Sequence, residues 1–194
     1  MIASVTAMAD SPSFTYIGAE YVPSGEIEVQ DGSLKFNLDA SGYAIHASVE
    51  LGIFFIQASR TELESDKTFF GIKAEDTSST LAAGLTFELP QTQIYGLIRG
   101  RYDEFELSGL RDDKDDGGII GGEVGVRINV TNFLEINANV GKPSTDEGSS
   151  YGIGAQFFVS EHVGITFDLR SIEADQDDIK AKFDTTSIGL RYTF

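Results

Sequence analysis

The last eight residues, Ser187-Ile-Gly-Leu-Arg-Tyr-Thr-Phe194, alternate between polar or small residues and apolar ones. Successive side chains of an extended strand point to opposite faces, so the even positions from Ile188 to Phe194 share one apolar face. Arg191 falls on the other face. Because chain ends usually fray unless they are tied into a sheet, this ending predicts a terminal β-strand with one apolar and one polar side.

The same alternation recurs along the chain from residue 14 onward. It predicts strands near 14–22, 43–50, 52–62, 80–89, 92–106, 117–130, 133–142, 150–159, 162–173 and 181–194. Tight connections are expected at Leu51, Pro90-Gln91, Thr131-Asn132 and Ser160-Glu161, and longer ones at 23–42, 63–79, 107–116, 143–149 and 174–180. Short turns that alternate with long loops are typical of transmembrane barrels. We therefore predict an all-β, antiparallel up-and-down transmembrane β-barrel of ten strands, with eight as the alternative.

Composition sets the protein class. The chain has 194 residues, of which 41% are hydrophobic and 23% charged, and this size suits one barrel domain. No apolar run approaches the roughly 18 residues of a spanning helix, whereas a membrane strand needs only about 9–11. A net charge of −17 argues against nucleic-acid binding, and the absence of cysteine removes disulfides and thiolate metal sites.

The first residues indicate export. Ala7-Met8-Ala9 has the small-residue pattern of a signal-peptidase site, although the basic region and the full apolar core of a signal peptide are missing. We predict that residues 1–9 are the residual end of a signal peptide and that 10–194 form a single barrel domain. The alternative is an arbitrary start that is rich in small residues.

The predicted inward faces carry arginine and acidic residues, whereas every lysine lies in a connection or at a strand end. Because a planar guanidinium suits paired, partly buried sites, we predict ion pairs across a narrow lumen. This lumen charge ladder comprises Glu20, Glu50, Glu88, Arg99, Arg101, Asp103, Glu123, Arg127, Glu135, Asp168, Arg170 and Arg191.

In two apolar segments, the alternation alone does not decide which side chains face the lumen. In 52–56 both faces are apolar, so the inward side chain is ambiguous, and in 14–22 we favour Ile17, Ala19 and Tyr21 outward. Aromatic residues cluster near strand ends, where a membrane barrel has its girdles. These residues are Tyr21, Tyr43, Phe87, Tyr102, Phe133, Tyr151, Tyr192 and Phe194.

The glycine-bearing strands Gly122-Glu-Val-Gly-Val-Arg127 and Tyr151-Gly-Ile-Gly-Ala-Gln-Phe157, together with the C-terminal strand, resemble those of the small outer-membrane β-barrel family of Gram-negative bacteria, the porin-like barrels. The resemblance covers about residues 14–194. It implies an integral protein of the cell outer membrane that contacts lipid and lipopolysaccharide. It also implies that the barrel-assembly machinery reads Tyr192 and Phe194 as an assembly signal. We expect a monomer that binds no nucleic acid.

Candidate reactive groups are sparse. His46, Ser48 and Glu50 share a predicted inward face, but alternate residues of a strand lie roughly 6–7 Å apart, too far for direct hydrogen bonds between neighbours. We expect no enzymatic activity and no cofactor, and we expect His162 to be an exposed turn residue. Carboxylates at Asp112, Asp113, Asp115 and Asp116 are weak candidate calcium ligands, although a solvated acidic loop is favoured.

Members of such barrel families include pores, adhesins, anchors and a few enzymes, so the fold does not select a function. We expect a structural or porin-like barrel with a narrow, polar, salt-bridged lumen and acidic extracellular loops. The alternative is a small, cation-preferring passive diffusion pore. An adhesin or an outer-membrane enzyme is a weaker hypothesis.

Overall fold

The computed structural model describes residues 12–31, 34–65, 73–108, 113–143, 147–176 and 179–194. They form a closed antiparallel barrel in which each strand pairs with its sequence neighbours and β1 pairs with β10. The strands are β1 Tyr16–Asp31, β2 Leu34–Leu51, β3 Phe54–Ser65, β4 Lys73–Leu89, β5 Thr92–Ser108, β6 Asp113–Thr131, β7 Leu134–Pro143, β8 Glu147–Phe158, β9 Val163–Gln176 and β10 Ile179–Thr193. Among these residues, no helix has the length and apolar character needed to cross a membrane.

The C-terminal strand closes the barrel as the alternation predicts. Tyr16 pairs with Thr193 at one end of the β1–β10 ladder, and Asp31 pairs with Ile179 at the other. Closure leaves no free sheet edge along this seam. The prediction of ten strands is confirmed, and the eight-strand alternative is wrong.

Four tight connections lie at one end of the barrel, which we call the short-turn end: residues 52–53, 90–91, 132–133 and 159–162. The prediction that the first turn falls at Leu51 is wrong, because Leu51 pairs with Phe54 across the turn. Gly52 has a φ of 69°, a left-handed conformation that glycine adopts without a Cβ clash. Gln91 takes the corresponding conformation in the next turn, with a φ of 61°.

Most of the predicted long connections are in fact strand. β1 runs to Asp31, β2 begins at Leu34 and β4 begins at Lys73, so the sheet continues through much of 23–42 and 63–79. The alternation breaks at Pro23 because the β1 register shifts between Tyr21 and Ser24, and proline has no N–H for the ladder. The predicted connection at 23–42 is therefore wrong from Pro23 to Asp31, where β1 continues.

The strands extend to different heights at the rim opposite the short-turn end. β6 has 19 residues and its neighbour β7 has 10. Their ladder ends where Gly121 pairs with Pro143. Among the described residues, 113–119 of β6 therefore have strand partners in β5 only.

The outer surface of the barrel is apolar. Ile17 and Tyr21 are outward and exposed, as predicted for β1. Every residue of the two predicted aromatic girdles is also exposed. Further exposed apolar side chains continue the band around the barrel: Ile45, Val49, Leu81, Leu85, Ile98, Val124, Val140, Ile153, Leu169 and Leu190. A band of this kind matches the hydrocarbon layer of a membrane and would be unfavourable in water.

An apolar cluster fills the lumen at the short-turn end. The ambiguity at 52–56 is resolved because Phe55 is 1% exposed and Phe54 is 59% exposed. Phe55 packs with Phe14, Tyr95 and Leu97. It also lies against Gly84, where a Cβ would clash with the Phe55 ring and with the carbonyl oxygen of Gly96.

Candidate functional site

The most buried ion pair of the lumen joins β6 and β7 near the short-turn end. Arg127 donates from Nε to Oε1 of Glu135 at 2.8 Å and from Nη2 to Oε2 at 2.9 Å. The two side chains are 6% and 2% exposed. Arg191 of β10 lies 3.8 Å from the same carboxylate, and its guanidinium covers the Tyr16 ring at 3.6 Å. One carboxylate therefore compensates two buried guanidinium groups.

A second charged group surrounds Glu123, further from the short-turn end. The Tyr95 hydroxyl donates to Glu123 Oε1 at 3.1 Å, and Arg99 donates to Oε2. The Arg170 Nη2 atom lies 4.0 Å from that oxygen. Three strands, β5, β6 and β9, thus bring Arg99 and Arg170 of the predicted ladder to the Glu123 carboxylate.

A third group lies on β4 and β5. Arg101 donates from Nε to Asp103 Oδ1 at 2.6 Å, and its Nη2 is 3.8 Å from Asp76 Oδ2. Asp76 is missing from the predicted ladder because 63–79 was interpreted as a connection. Its place in a strand, opposite Phe105 of β5, brings it to the lumen.

A fourth group combines β1, β2 and β10. The His46 Nδ1 atom is 3.4 Å from Glu20 Oε1, and the Ser187 hydroxyl donates to Glu20 Oε2 at 2.8 Å. Asp168, on β9, is hydrogen-bonded by the Asn137 side chain. Glu20 and Asp168 belong to the predicted ladder, whereas their partners Ser187 and Asn137 carry no charge pattern that would predict these contacts.

Two predicted ladder residues differ from the rest. Glu50 accepts hydrogen bonds from neutral groups, namely Thr86 Oγ1 at 3.0 Å and Gln93 Nε2 at 3.2 Å. Glu88 is exposed at the short-turn end. Glu50 thus belongs to the predicted ladder by position, but hydroxyl and amide groups are its hydrogen-bond donors.

Residues 12–15, which we call the strap, lie inside the lumen at the short-turn end. The prediction that a strand begins at 14 is wrong, since β1 begins at Tyr16. The Ser13 carbonyl accepts hydrogen bonds from Arg127 Nη1 at 2.8 Å and from Arg191 Nη2 at 3.2 Å. The Phe14 N–H donates to Glu50 Oε2 at 2.9 Å. Residue alternation contained no signal for this placement.

The residues His46, Ser48 and Glu50 do not form a catalytic triad in the structure. Ser48 donates to the Ile56 carbonyl at 3.2 Å, and His46 stacks edge-on against Tyr16 with 5.5 Å between ring centroids. Glu50 binds the strap. Each member has a different partner, as the strand spacing predicts.

The C-terminal residues are held at the short-turn end. Phe194 N–H donates to the Thr15 carbonyl at 3.1 Å, and Tyr192 and Phe194 meet edge-on with 5.0 Å between centroids. His162 stacks on Tyr192, and the backbone N–H of Thr193 donates to its carbonyl at 2.7 Å. The sequence identified His162 only as an exposed turn residue and missed this contact.

The candidate calcium ligands are not described. Asp112 lies outside the described residues, and so do the side chains of Asp113, Asp115 and Asp116. Within the described part of the chain, no group of three or more histidine and acidic residues could hold a metal ion.

No protein-family model matches the chain, and no curated protein matches it in sequence. Several solved structures are similar in fold. Neisserial surface protein A aligns over 94% of this chain and 98% of its own, with a TM-score of 0.51 and 14% identity. The outer membrane protease OmpT from Escherichia coli aligns over 96% and 100%, with a TM-score of 0.56 and 12% identity.

The translocator domain of the autotransporter NalP from Neisseria meningitidis is also similar, over 96% of this chain and 91% of that one, with a TM-score of 0.54 and 11% identity. Identities this low establish the fold and carry no activity from one protein to another. The closed ten-strand barrel, its apolar outer band and its charged lumen agree with that likeness. The chain has the fold of the integral outer-membrane β-barrel proteins of Gram-negative bacteria.

Proposed function

We propose that this protein is a structural outer-membrane barrel whose lumen does not conduct ions in its resting state. The observation that carries the proposal is the filled lumen at the short-turn end, where the Arg127–Glu135 pair is almost completely buried. Phe55 and Gln93 are equally inaccessible beside it. Short turns of such barrels face the periplasm, so we assign this closed end to the periplasmic side.

Ion conduction needs a continuous hydrated path with weak binding sites along it. Eight-strand barrels are wide enough only for their own side chains, and ten strands add modest width. Here bidentate hydrogen bonds fix the charged side chains to each other, which favours a packed interior. The protein then acts through its outer surface or its rim.

A planar-bilayer recording on the refolded protein tests the proposal. We expect no stable conductance steps, while a general porin refolded in the same way serves as the positive control. Migration that changes on boiling establishes that the inserted sample is folded. Stable steps from the folded wild-type protein would contradict the closed-lumen proposal.

A small cation-preferring pore is the second candidate. It is favoured by the net charge of −17. The Arg170 side chain is 44% exposed, which favours a solvated lumen, although its positive charge opposes cation preference. Such a pore predicts steps whose reversal potential in a salt gradient indicates cation preference. The adhesin and enzyme hypotheses have no specific contact in their favour, and loss of an assayable activity in His46→Ala would be needed to support an enzyme.

We further propose that the barrel is a monomer surrounded by outer-membrane lipid and lipopolysaccharide, and that the barrel-assembly machinery recognises its C-terminal strand. The exposed rings of Tyr192 and Phe194 support this role. Deleting Phe194 is expected to lower the assembled fraction in cells, measured by heat-modifiable migration. Unchanged assembly would remove the proposed signal.

A further inference from the structure

The strap crosses the lumen as a bridge between distant walls. Arg127 belongs to β6 and Arg191 to β10, and both donate to the single carbonyl oxygen of Ser13. Glu50, which accepts from the Phe14 N–H, belongs to β2. Three strands therefore hold two consecutive residues of the strap at the closed end.

The Phe14 ring occupies the centre of this closure. It stacks on Phe55 with 4.1 Å between centroids and meets Tyr95 edge-on at 5.2 Å. The Arg127 guanidinium lies 4.7 Å from the ring centroid. The residue is only 4% exposed, although the strand that follows it faces lipid on one side.

Ser13 and Phe14 of the strap can leave their site without opening the barrel wall. Regular pairing of β1 with both neighbours begins at Tyr16, opposite Ser48 of β2 and Thr193 of β10. The hydrogen bonds that hold Ser13 and Phe14 in the lumen go to side chains and lie outside the strand ladders. Their loss costs contacts of Ser13 and Phe14 only, while Thr15 stays bound to the N–H groups of Phe194 and Glu50 and the ladders from Tyr16 onward stay intact.

The lumen wall next to the Arg127–Glu135 pair is polar, because Glu135 pairs with Gln156 across β7 and β8. Gln156 is 1% exposed, and among the described residues neither its amide nitrogen nor its amide oxygen has a hydrogen-bond partner. Thr166, opposite it on β9, has an unpartnered hydroxyl as well. Buried polar groups of this kind are usually satisfied by water, so the wall beside Glu135 suits a hydrated path.

We infer that the strap is the removable gate of this barrel, with the Phe14 ring as its stopper. In the seated position, Ser13 and Phe14 close the lumen at the short-turn end. In the withdrawn position, a hydrated path lined by Glu50, Gln93 and Arg127 joins that end to the lumen around Glu123 and Arg170. The inference rests on the proposed closed lumen and adds which element closes it.

Phe14→Ala tests the gate in the full chain. The substitution removes the ring contacts that exist only in the seated position, and truncation of a buried phenylalanine costs about 3–5 kcal/mol. We expect a rise of roughly a hundredfold in open probability over wild type in planar bilayers. Phe87→Ala is the matched control, because Phe87 is exposed on the lipid face and its loss leaves the lumen unchanged.

Ser13→Cys gives a second, independent readout, because the chain has no other cysteine. A charged thiol reagent added on the short-turn side is expected to open a silent protein, and a reductant is expected to close it again. The inference is overturned if folded Phe14→Ala and modified Ser13→Cys both stay silent. It is also overturned if Phe87→Ala opens the lumen as readily as Phe14→Ala. Steps from the wild type instead contradict the proposed closed lumen, so the two failures are distinguishable.

Discussion

Glu135→Gln removes the carboxylate that compensates two buried guanidinium groups. The carboxylate takes two hydrogen bonds from Arg127, and Arg191 lies 3.8 Å away. Removing one partner of a buried ion pair typically costs about 3–5 kcal/mol, because the remaining charge is left without compensation. Glutamine keeps one acceptor oxygen, so we expect a loss near the lower limit, about 3 kcal/mol of the free energy of unfolding.

Urea unfolding of the refolded protein in lipid vesicles measures this loss, with the folded fraction read from heat-modifiable migration. Glu161→Gln is the matched control, since Glu161 is exposed in a short turn and should change stability by less than about 0.5 kcal/mol. A double-mutant cycle with Arg127→Gln should give a coupling of about 1–3 kcal/mol. A loss below about 1 kcal/mol for Glu135→Gln, or no coupling, would refute the role given to this pair.

Three further variants test other parts of the structure. Gly84→Ala should destabilise the barrel by about 1–3 kcal/mol through overpacking. Gly100→Ala should leave the stability unchanged, because a Cβ at position 100 would have open space around it. The urea midpoints of the two variants check this difference. Ile98→Arg places a charge within the apolar band, where the expected cost is about 2–4 kcal/mol, measured by the same unfolding assay. Hydrogen bonds from Lys182 and Ser171 hold the pKa of Asp184 below its usual range. The Asp184 carboxylate therefore stabilises the fold at a pH above the aspartate pKa of the unfolded chain. This stabilisation is lost as the pH falls through the lower pKa of Asp184 in the folded protein. The stability of Asp184→Asn should therefore approach that of the wild type in acid, and a difference that is the same at pH 7 and pH 2.5 would contradict this assignment.

The sequence predicts which residues of a strand face the lumen better than it predicts the contacts between side chains inside the lumen. Alternation alone places Arg127 and Glu135 on inward faces, because a strand has a fixed period of two. It does not predict that Arg191, on a distant strand, approaches the same carboxylate, since that depends on barrel closure and side-chain reach. Neutral partners such as Thr86 and Gln93 carry no charge pattern that would mark them as partners of Glu50.

Two predictions, the loop that begins at Pro23 and the strand that begins at Phe14, are wrong for physical reasons. Pro23 interrupts the alternation, yet a bulge lets the strand continue past it, so the predicted loop is mostly sheet. Phe14 fits the apolar pattern of a strand start, but its backbone leaves the ladder and its ring enters the lumen. Local periodicity reports which face a residue takes within a strand, and it contains no information on a segment that lies outside the sheet.

The unequal strand lengths at the rim affect whether neighbouring barrels can pair with each other through their strand edges. Residues 113–119 of β6 have their described strand partners in β5 only, and the edge of a sheet is where a foreign strand can add. The sequence of this stretch, Asp113-Lys-Asp-Asp-Gly-Gly118, is a poor template, because repeated acidic residues repel a second copy and paired glycines weaken a strand. We therefore expect the acidic run to oppose edge-to-edge pairing of neighbouring barrels at this rim.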